Sequence, residues 1–207
     1  MAEAVVTSAC YFPPAIFFKD YLQASKILLD AHEYFVKQTF RNRTCICGAN
    51  GKFSLIVPVK RTSGKLTSVQ DIQVSYDAPW QKTHWRSITS AYRNSPYFEF
   101  FEDELAPLFA SQEKFLLDLN LKILIVLFKI LGRDDAIGQT EKYIPEYPAG
   151  IKDLRYLTDP QVFFSSHENL QLQPYPQVFV TDKKFIPGLS ILDLLFNTGR
   201  DFAALLS

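Results

Sequence analysis

Surplus charge of one sign is the first thing this sequence lacks: 22 basic residues stand against 22 acidic ones, a net charge of zero. Nucleic-acid binding draws its sequence-independent attraction from excess positive charge, and no Lys/Arg run restores that locally, so nucleic acid is not an expected partner. No basic amphipathic stretch suits an anionic membrane. Cysteine is scarce. Cys10, Cys45 and Cys47 leave an odd thiol and no framework spacing, which suits a reducing compartment and leads us to expect a cytoplasmic protein. The opening Met-Ala-Glu-Ala-Val-Val has no basic region ahead of its apolar residues, so no secretory signal is expected. The most apolar run, 116–131, is too short to span a bilayer and contains Asp118, Lys122 and Lys129, so it reads as a buried helix.

Most standard chemical devices are missing as well. There is no glycine-rich phosphate loop, dinucleotide fingerprint or nucleophile-elbow pentapeptide. Cys45-x-Cys47 lacks a second pair, and His32, His84 and His167 do not sit at ligand spacing, so no metal site is expected. No cofactor class can be assigned. Small molecules or proteins remain as partners, with self-association into a homo-oligomer among the options.

What is present describes an ordinary globular chain. Its 207 residues, 47% apolar and 21% charged, fit one domain over 1–207 with a core of its own. Aromatics reach 14%, either as core filling or as a ligand platform. Residues 4–9 are short, apolar and partly β-branched, a buried strand. Pro13-Pro14 breaks the chain before a helix over 16–24 and a second strand over 26–30, making a β-loop-α-β unit. Two strand-like runs, 43–48 and 52–59, flank Ala49-Asn50-Gly51, a strong hairpin signal. Residues 69–75 read as a further strand. Three helices follow: one opened by Asp77 as N-cap with Pro79 just inside and ended by Pro96, one over 98–109, and one opened by Ser111 and stopped by Gly132. Residues 133–176, punctuated by five prolines, read as irregular cover and a candidate lid. A late edge strand over 177–181 and a helix over 189–197 close the pattern. The fold class is α/β: a single domain with a mixed β-sheet flanked by helices.

Four segments could carry chemistry. Tyr11-Phe12-Pro13-Pro14 follows the first strand, where open α/β sheets hold ligands, but a rigid turn explains it equally. Arg41-Asn42-Arg43 offers planar donors for a carboxylate or phosphate, with a solvated turn or internal pairing to acids such as Glu33 as the alternative. Trp80, His84 and Ile88 share a helix face, and His84 is either a general acid/base or a buried imidazole satisfied by one carbonyl. Ser190, Asp193 and Asn197 form one polar stripe on an apolar helix, so Asp193 needs a cationic or amide partner.

Taken in order, these segments resemble the WbqC-like family of bacterial surface-polysaccharide loci. The likeness rests on Tyr11, Phe12 and Pro14, Asn42-Arg43, Val57-Pro58-Val59, Trp80 with His84, Pro96-Tyr97-Phe98, Asp118-Leu119-Asn120, Tyr175-Pro176-Gln177 and the run from Pro187 to Asn197. The chain departs from the family pattern at Ala9-Cys10, at Phe17, around Ala31-His32 and in a short region after Gly132. The resemblance implies a transferase-like enzyme of glycan biosynthesis acting on an anionic, sugar-bearing small molecule. In that reading His84 moves the proton and Asp193 orients it. Arg41 and Arg43 hold the anion, Tyr11 and Trp85 stack, and Asn42, Ser190 and Asn197 complete the substrate contacts. The rival is a non-catalytic scaffold of the same assembly. The enzyme reading requires Tyr11, Arg43, His84 and Asp193 to converge on one pocket.

Overall fold

The computed structural model describes residues 3–60, 66–134, 136–165, 172–179 and 185–206. Its centre is a four-stranded parallel sheet of β1 (Ala4–Thr7), β2 (Lys26–Leu29), β5 (Ala136–Gln139) and β6 (Ile151–Asp153), in the order β5-β2-β1-β6. Short α1 (Phe17–Tyr21) makes the crossover from β1 to β2, giving the expected β-loop-α-β unit. The β1 strand has a neighbour on each side and every residue buried, as expected of an apolar strand inside a parallel sheet. Strands are added on one side of β1 first and then on the other. The order reverses between β1 and β6, and in open α/β sheets ligands bind near the C-terminal ends of strands at such a reversal.

The hairpin forms as expected. In it β3 (Arg43–Gly48) pairs antiparallel with β4 (Gly51–Ile56), with Gly48 opposite Gly51. Ala49 and Asn50 are the two turn residues, and Gly51 takes the positive φ of +95°. The hairpin is a separate sheet, so parallel and antiparallel pairing occur in the molecule without sharing a ladder.

Helices α2 (Trp80–Tyr92), α3 (Phe98–Leu105), α4 (Leu116–Ile130) and α6 (Ile191–Thr198) surround these sheets. Several boundaries differ from the sequence reading. Asp77 does not cap α2; it accepts from the Ser75 hydroxyl at 2.6 Å, and Pro79 occupies the N-cap. A 3-10 turn over Ala106–Phe109, containing Pro107, ends α3 early. Ser111 lies five residues before α4, whose first amide bonds the Ile72 carbonyl. Residues 69–75 do not form a strand, because Val69 and Gln70 donate to Glu33 and Ala31 in the loop after β2, leaving a 3-10 turn and isolated bridges. Residues 133–176 supply two sheet strands and α5 (Pro160–Ser165). Val178 and Phe179 form a turn rather than an edge strand, and residues 180–181 lie outside the described set. Among the described residues no helix is long and apolar enough to cross a membrane.

The run from Pro187 stitches the halves together. Leu189 accepts from Ala15, Ser190 donates its amide to Cys45, and Ile191 donates to Pro13. Gly188 holds φ at +74°, and a Cβ there would stand 2.6 Å from a carbon of the Phe164 ring and 3.0 Å from one of Phe163. Gly188→Ala should therefore lower stability by about 2 kcal/mol or more, through backbone strain and ring displacement. Urea unfolding should show a lower midpoint at unchanged slope; an unchanged midpoint would mean that this turn relaxes freely.

Candidate functional site at the end of the parallel sheet

Every strand of the parallel sheet delivers a polar group to its C-terminal edge: Ser8 after β1, Asp30 and Glu33 after β2, Thr140 after β5, and Asp153 and Arg155 at the end of β6. Burial forces these groups to satisfy one another, and they do so around two arginines. Arg41 grips Glu33 bidentately, Nε to Oε1 at 2.8 Å and Nη2 to Oε2 at 2.7 Å, and Ser8 Oγ donates to the same carboxylate at 2.9 Å. Both side chains are only 7% exposed. Arg155 bonds Asp153 through Nε and Nη2 and reaches Asp30 with Nη1 at 2.6 Å. Asp30 in turn accepts from the amides of His32 and Glu33 and from Thr140 Oγ1, tying β5 to β2. The Arg155 guanidinium also lies 5.3 Å and 5.0 Å from the Tyr143 and Tyr147 ring centroids. Hydrogen bonding to Asp153, then to Asp30, holds its pKa above the usual arginine value.

A cavity of about 390 Å³ opens over this network. Its floor is Glu33, Arg41, Asp153 and Arg155, and its walls are Tyr34, Val36, Tyr143 and Tyr156. The three tyrosines are more than half exposed, at 54%, 52% and 59%. Exposed rings over a charged, internally paired floor suit a ligand with both apolar faces and hydroxyl edges.

Of the residues singled out from sequence, Arg41 alone lines this crevice, and its fork is occupied by Glu33. Tyr11 and His84 do meet, with the hydroxyl 2.9 Å from Nδ1, beside Trp80 at 5.0 Å between ring centroids. Burial pulls the imidazole pKa down to about 4, and the nearby Ile56 backbone only partly offsets the fall. His84 is thus held by partners of its own protein, as in the buried-imidazole alternative. Asp193 accepts from Tyr92 at 3.0 Å, Tyr175 at 2.6 Å and the Gln177 amide at 2.9 Å. Burial raises its carboxyl pKa against these three donors. Ser190 caps α6 by accepting from Leu192 and donates to the Phe12 carbonyl, while Asn197 donates to the Asp193 carbonyl. Asn42 bonds the Val57 carbonyl, and Trp85 stacks on Phe98 and lies 5.2 Å from the Phe109 ring centroid. Arg43, half-buried at the start of β3, has an Nε without a hydrogen-bond partner. Convergence on one pocket is not found: Tyr11, Arg43, His84 and Asp193 line neither this crevice nor the cavity beside the hairpin turn. His84 and Asp193 each find hydrogen-bond partners elsewhere in the protein instead.

The sequence reading missed Asp30, Asp153, Arg155 and the surrounding tyrosines. Strands of three or four residues carry too little pattern to be found, and a strand end cannot be used as a marker before the strand is known. Asp153-Leu154-Arg155 and the Asp30/Glu33 spacing were the available signals.

Two consequences can be measured. Arg41→Met leaves the Glu33 carboxylate buried without its cation and should cost about 3–5 kcal/mol, whereas Arg41→Met with Glu33→Met should recover most of the loss. Equal instability of single and double variants in urea would show that packing, not charge, holds this corner. For His84, the unfolded imidazole takes a proton near the ordinary histidine value of 6.5 while the folded one resists to about 4. Stability should therefore fall as pH drops from 6.5 towards 4, by about 3 kcal/mol for this group. Asp193 acts with the opposite sign, since acid relieves its burial penalty, so the test is the difference between wild type and His84→Gln. Identical pH slopes in the two proteins would remove His84 as the cause.

Comparison with known proteins adds a family. The profile of the WbqC-like protein family matches residues 9–154, more than half the chain, from the exit of β1 to just past β6. One relative, the uncharacterised protein Rv1507c of Mycobacterium tuberculosis, is 24% identical over 225 residues, covering 97% of this chain and 96% of that one. No solved structure matches. With the ordered motifs and the matched span together, this chain belongs to the WbqC-like protein family.

Proposed function

We propose that this chain is a transferase-like enzyme of cell-surface glycan biosynthesis that binds a sugar-bearing small molecule in the crevice at the C-terminal edge of the parallel sheet. The observation that carries the reading is the pairing of three exposed tyrosines with a floor of carboxylates and guanidinium groups at the point where strand order reverses. Pyranose rings present C–H faces for stacking and hydroxyl edges for charged donors and acceptors. Both arginines of the floor are neutralised by carboxylates, so this crevice suits the sugar part of the substrate better than its anionic part. In such a transfer Asp153, whose side chain is 31% exposed and fixed by Arg155, takes the proton of a sugar hydroxyl as that oxygen bonds to the electrophilic atom of the donor, whose leaving group departs with the electron pair of the broken bond. Free, buried Cys10, Cys45 and Cys47 support a reducing, cytoplasmic location.

The scaffold reading keeps one observation in its favour: His84 and Asp193 have their polar atoms engaged inside the protein. A thermal-shift screen against monosaccharides and nucleotide sugars separates the two. A ligand held at a hundredfold above its Kd should raise Tm by roughly 5 °C or more. Tyr156→Ala should abolish that rise, while Asp153→Asn should leave binding largely intact and lower turnover by about a hundredfold or more. If no sugar or nucleotide sugar stabilises the fold, the scaffold reading replaces the enzyme.

A further inference from the structure

A second cavity, of about 550 Å³, lies between the hairpin turn and the exposed side of α2. Its chemistry is the reverse of the first. Lys52 and Arg86 line it together with Asn50, Ser87 and Ser90, and no carboxylate is among its lining residues. Among the described residues neither cation takes part in an ion pair, whereas Arg41 and Arg155 are both held by acids. Lys52 rests its ammonium 4.1 Å from the Phe164 ring centroid, a contact it can exchange for a full negative charge. Lys52, Arg86 and Ser90 are exposed, so a ligand reaches them without displacing core.

Local geometry explains why these groups face one space. Arg86 and Ser90 are four residues apart on α2, hence on one face with Ser87 beside them. Across from them Ala49 and Asn50 stand outside the ladder, and the space where a side chain at Gly51 would begin is open, with no atom within 4 Å. Phe53 and Phe179 provide an apolar margin. Two unpaired cations, two hydroxyls and an amide around a cleft form a donor set for a tetrahedral anion.

We infer that this cleft binds the phosphoryl group of a small phosphorylated ligand, with Arg86 and Lys52 as its charge-bearing contacts. The site is separate from the sugar crevice and does not depend on the activity proposed there. Its selectivity comes from unpaired charge, since an anion entering the sheet-edge crevice meets Glu33 and Asp153 as well as the two arginines.

The test uses the full chain, with inorganic phosphate and a nucleoside diphosphate as probes, followed by backbone-amide NMR. Saturable shifts are expected at Gly51, Lys52, Ser87 and Ser90, without shifts at Tyr34 or Tyr156. Arg86→Ala and Lys52→Ala should each weaken binding by about tenfold or more, because each removes hydrogen bonds to a charged group. Both residues are exposed, so the ligand-free Tm should remain within about 2 °C of wild type. Affinity should also fall with added salt. Non-saturable shifts, shifts centred on Tyr34 and Tyr156, or an unchanged affinity in the Lys52→Ala/Arg86→Ala variant would each overturn the assignment.

Discussion

Residues 4–18 are buried without interruption, although only the first four of them are strand. A chain that leaves a sheet into the interior carries its peptide groups with it, and each must find a partner away from water. Much of the molecule can be understood as the answer to that demand. The Ala9 carbonyl accepts from Asn120 of α4, the Tyr11 amide bonds Phe40, and its hydroxyl reaches His84 of α2. Phe12, held at a positive φ of 43°, offers a carbonyl that takes hydrogen bonds from Thr44 of β3 and Ser190 at the start of α6. One buried segment thereby recruits the hairpin and three helices. The Tyr-Phe-Pro-Pro turn does not need a ligand to explain its residues.

The same constraint separates two kinds of arginine. At the sheet edge, where the guanidinium groups are largely buried, each arrives with carboxylates already placed on it, and the pair acts as a neutral brace between strand ends. Thr140, Asp30, Arg155 and Asp153 join β5, β2 and β6 in this way. Beside the hairpin turn, water compensates Lys52 and Arg86, so no carboxylate is required and the charge remains available to a ligand. Rigid, paired charge suits recognition of hydroxyls; free charge suits recognition of anions.

Much of the architecture was legible in the chain. Val5-Val6 and Ile27-Leu28-Leu29 are apolar runs of strand length, and Asn50-Gly51 marks a two-stranded turn that forms in place. The heavily apolar α4 and the buried α6 also follow from their patterns. Less legible were β5 and β6, where a Gly in one and a Lys in the other leave three or four residues with no clear period. Their strand character comes from the neighbours that cover them. For the candidate site the balance is poorer, since Arg41 with Glu33 could be suspected from spacing, but Arg155 lies 125 residues from Asp30 and nothing local announces their contact.

Motif order was enough to place the chain in its family, because recurring residue types at fixed intervals are a property of the sequence itself. What those residues do was decided by tertiary structure. Asp193 looks from sequence like a charge in need of a cationic or amide partner; the fold supplies the Gln177 amide together with the hydroxyls of Tyr175 and the distant Tyr92. His84 reads as an acid or base or as a buried imidazole, and in the fold its Nδ1 is engaged by the Tyr11 phenol. A sequence states which side chains can donate or accept; only the packed chain selects which of many distant partners comes within about 3 Å, because hydrogen bonds and ion pairs are short-ranged and directional.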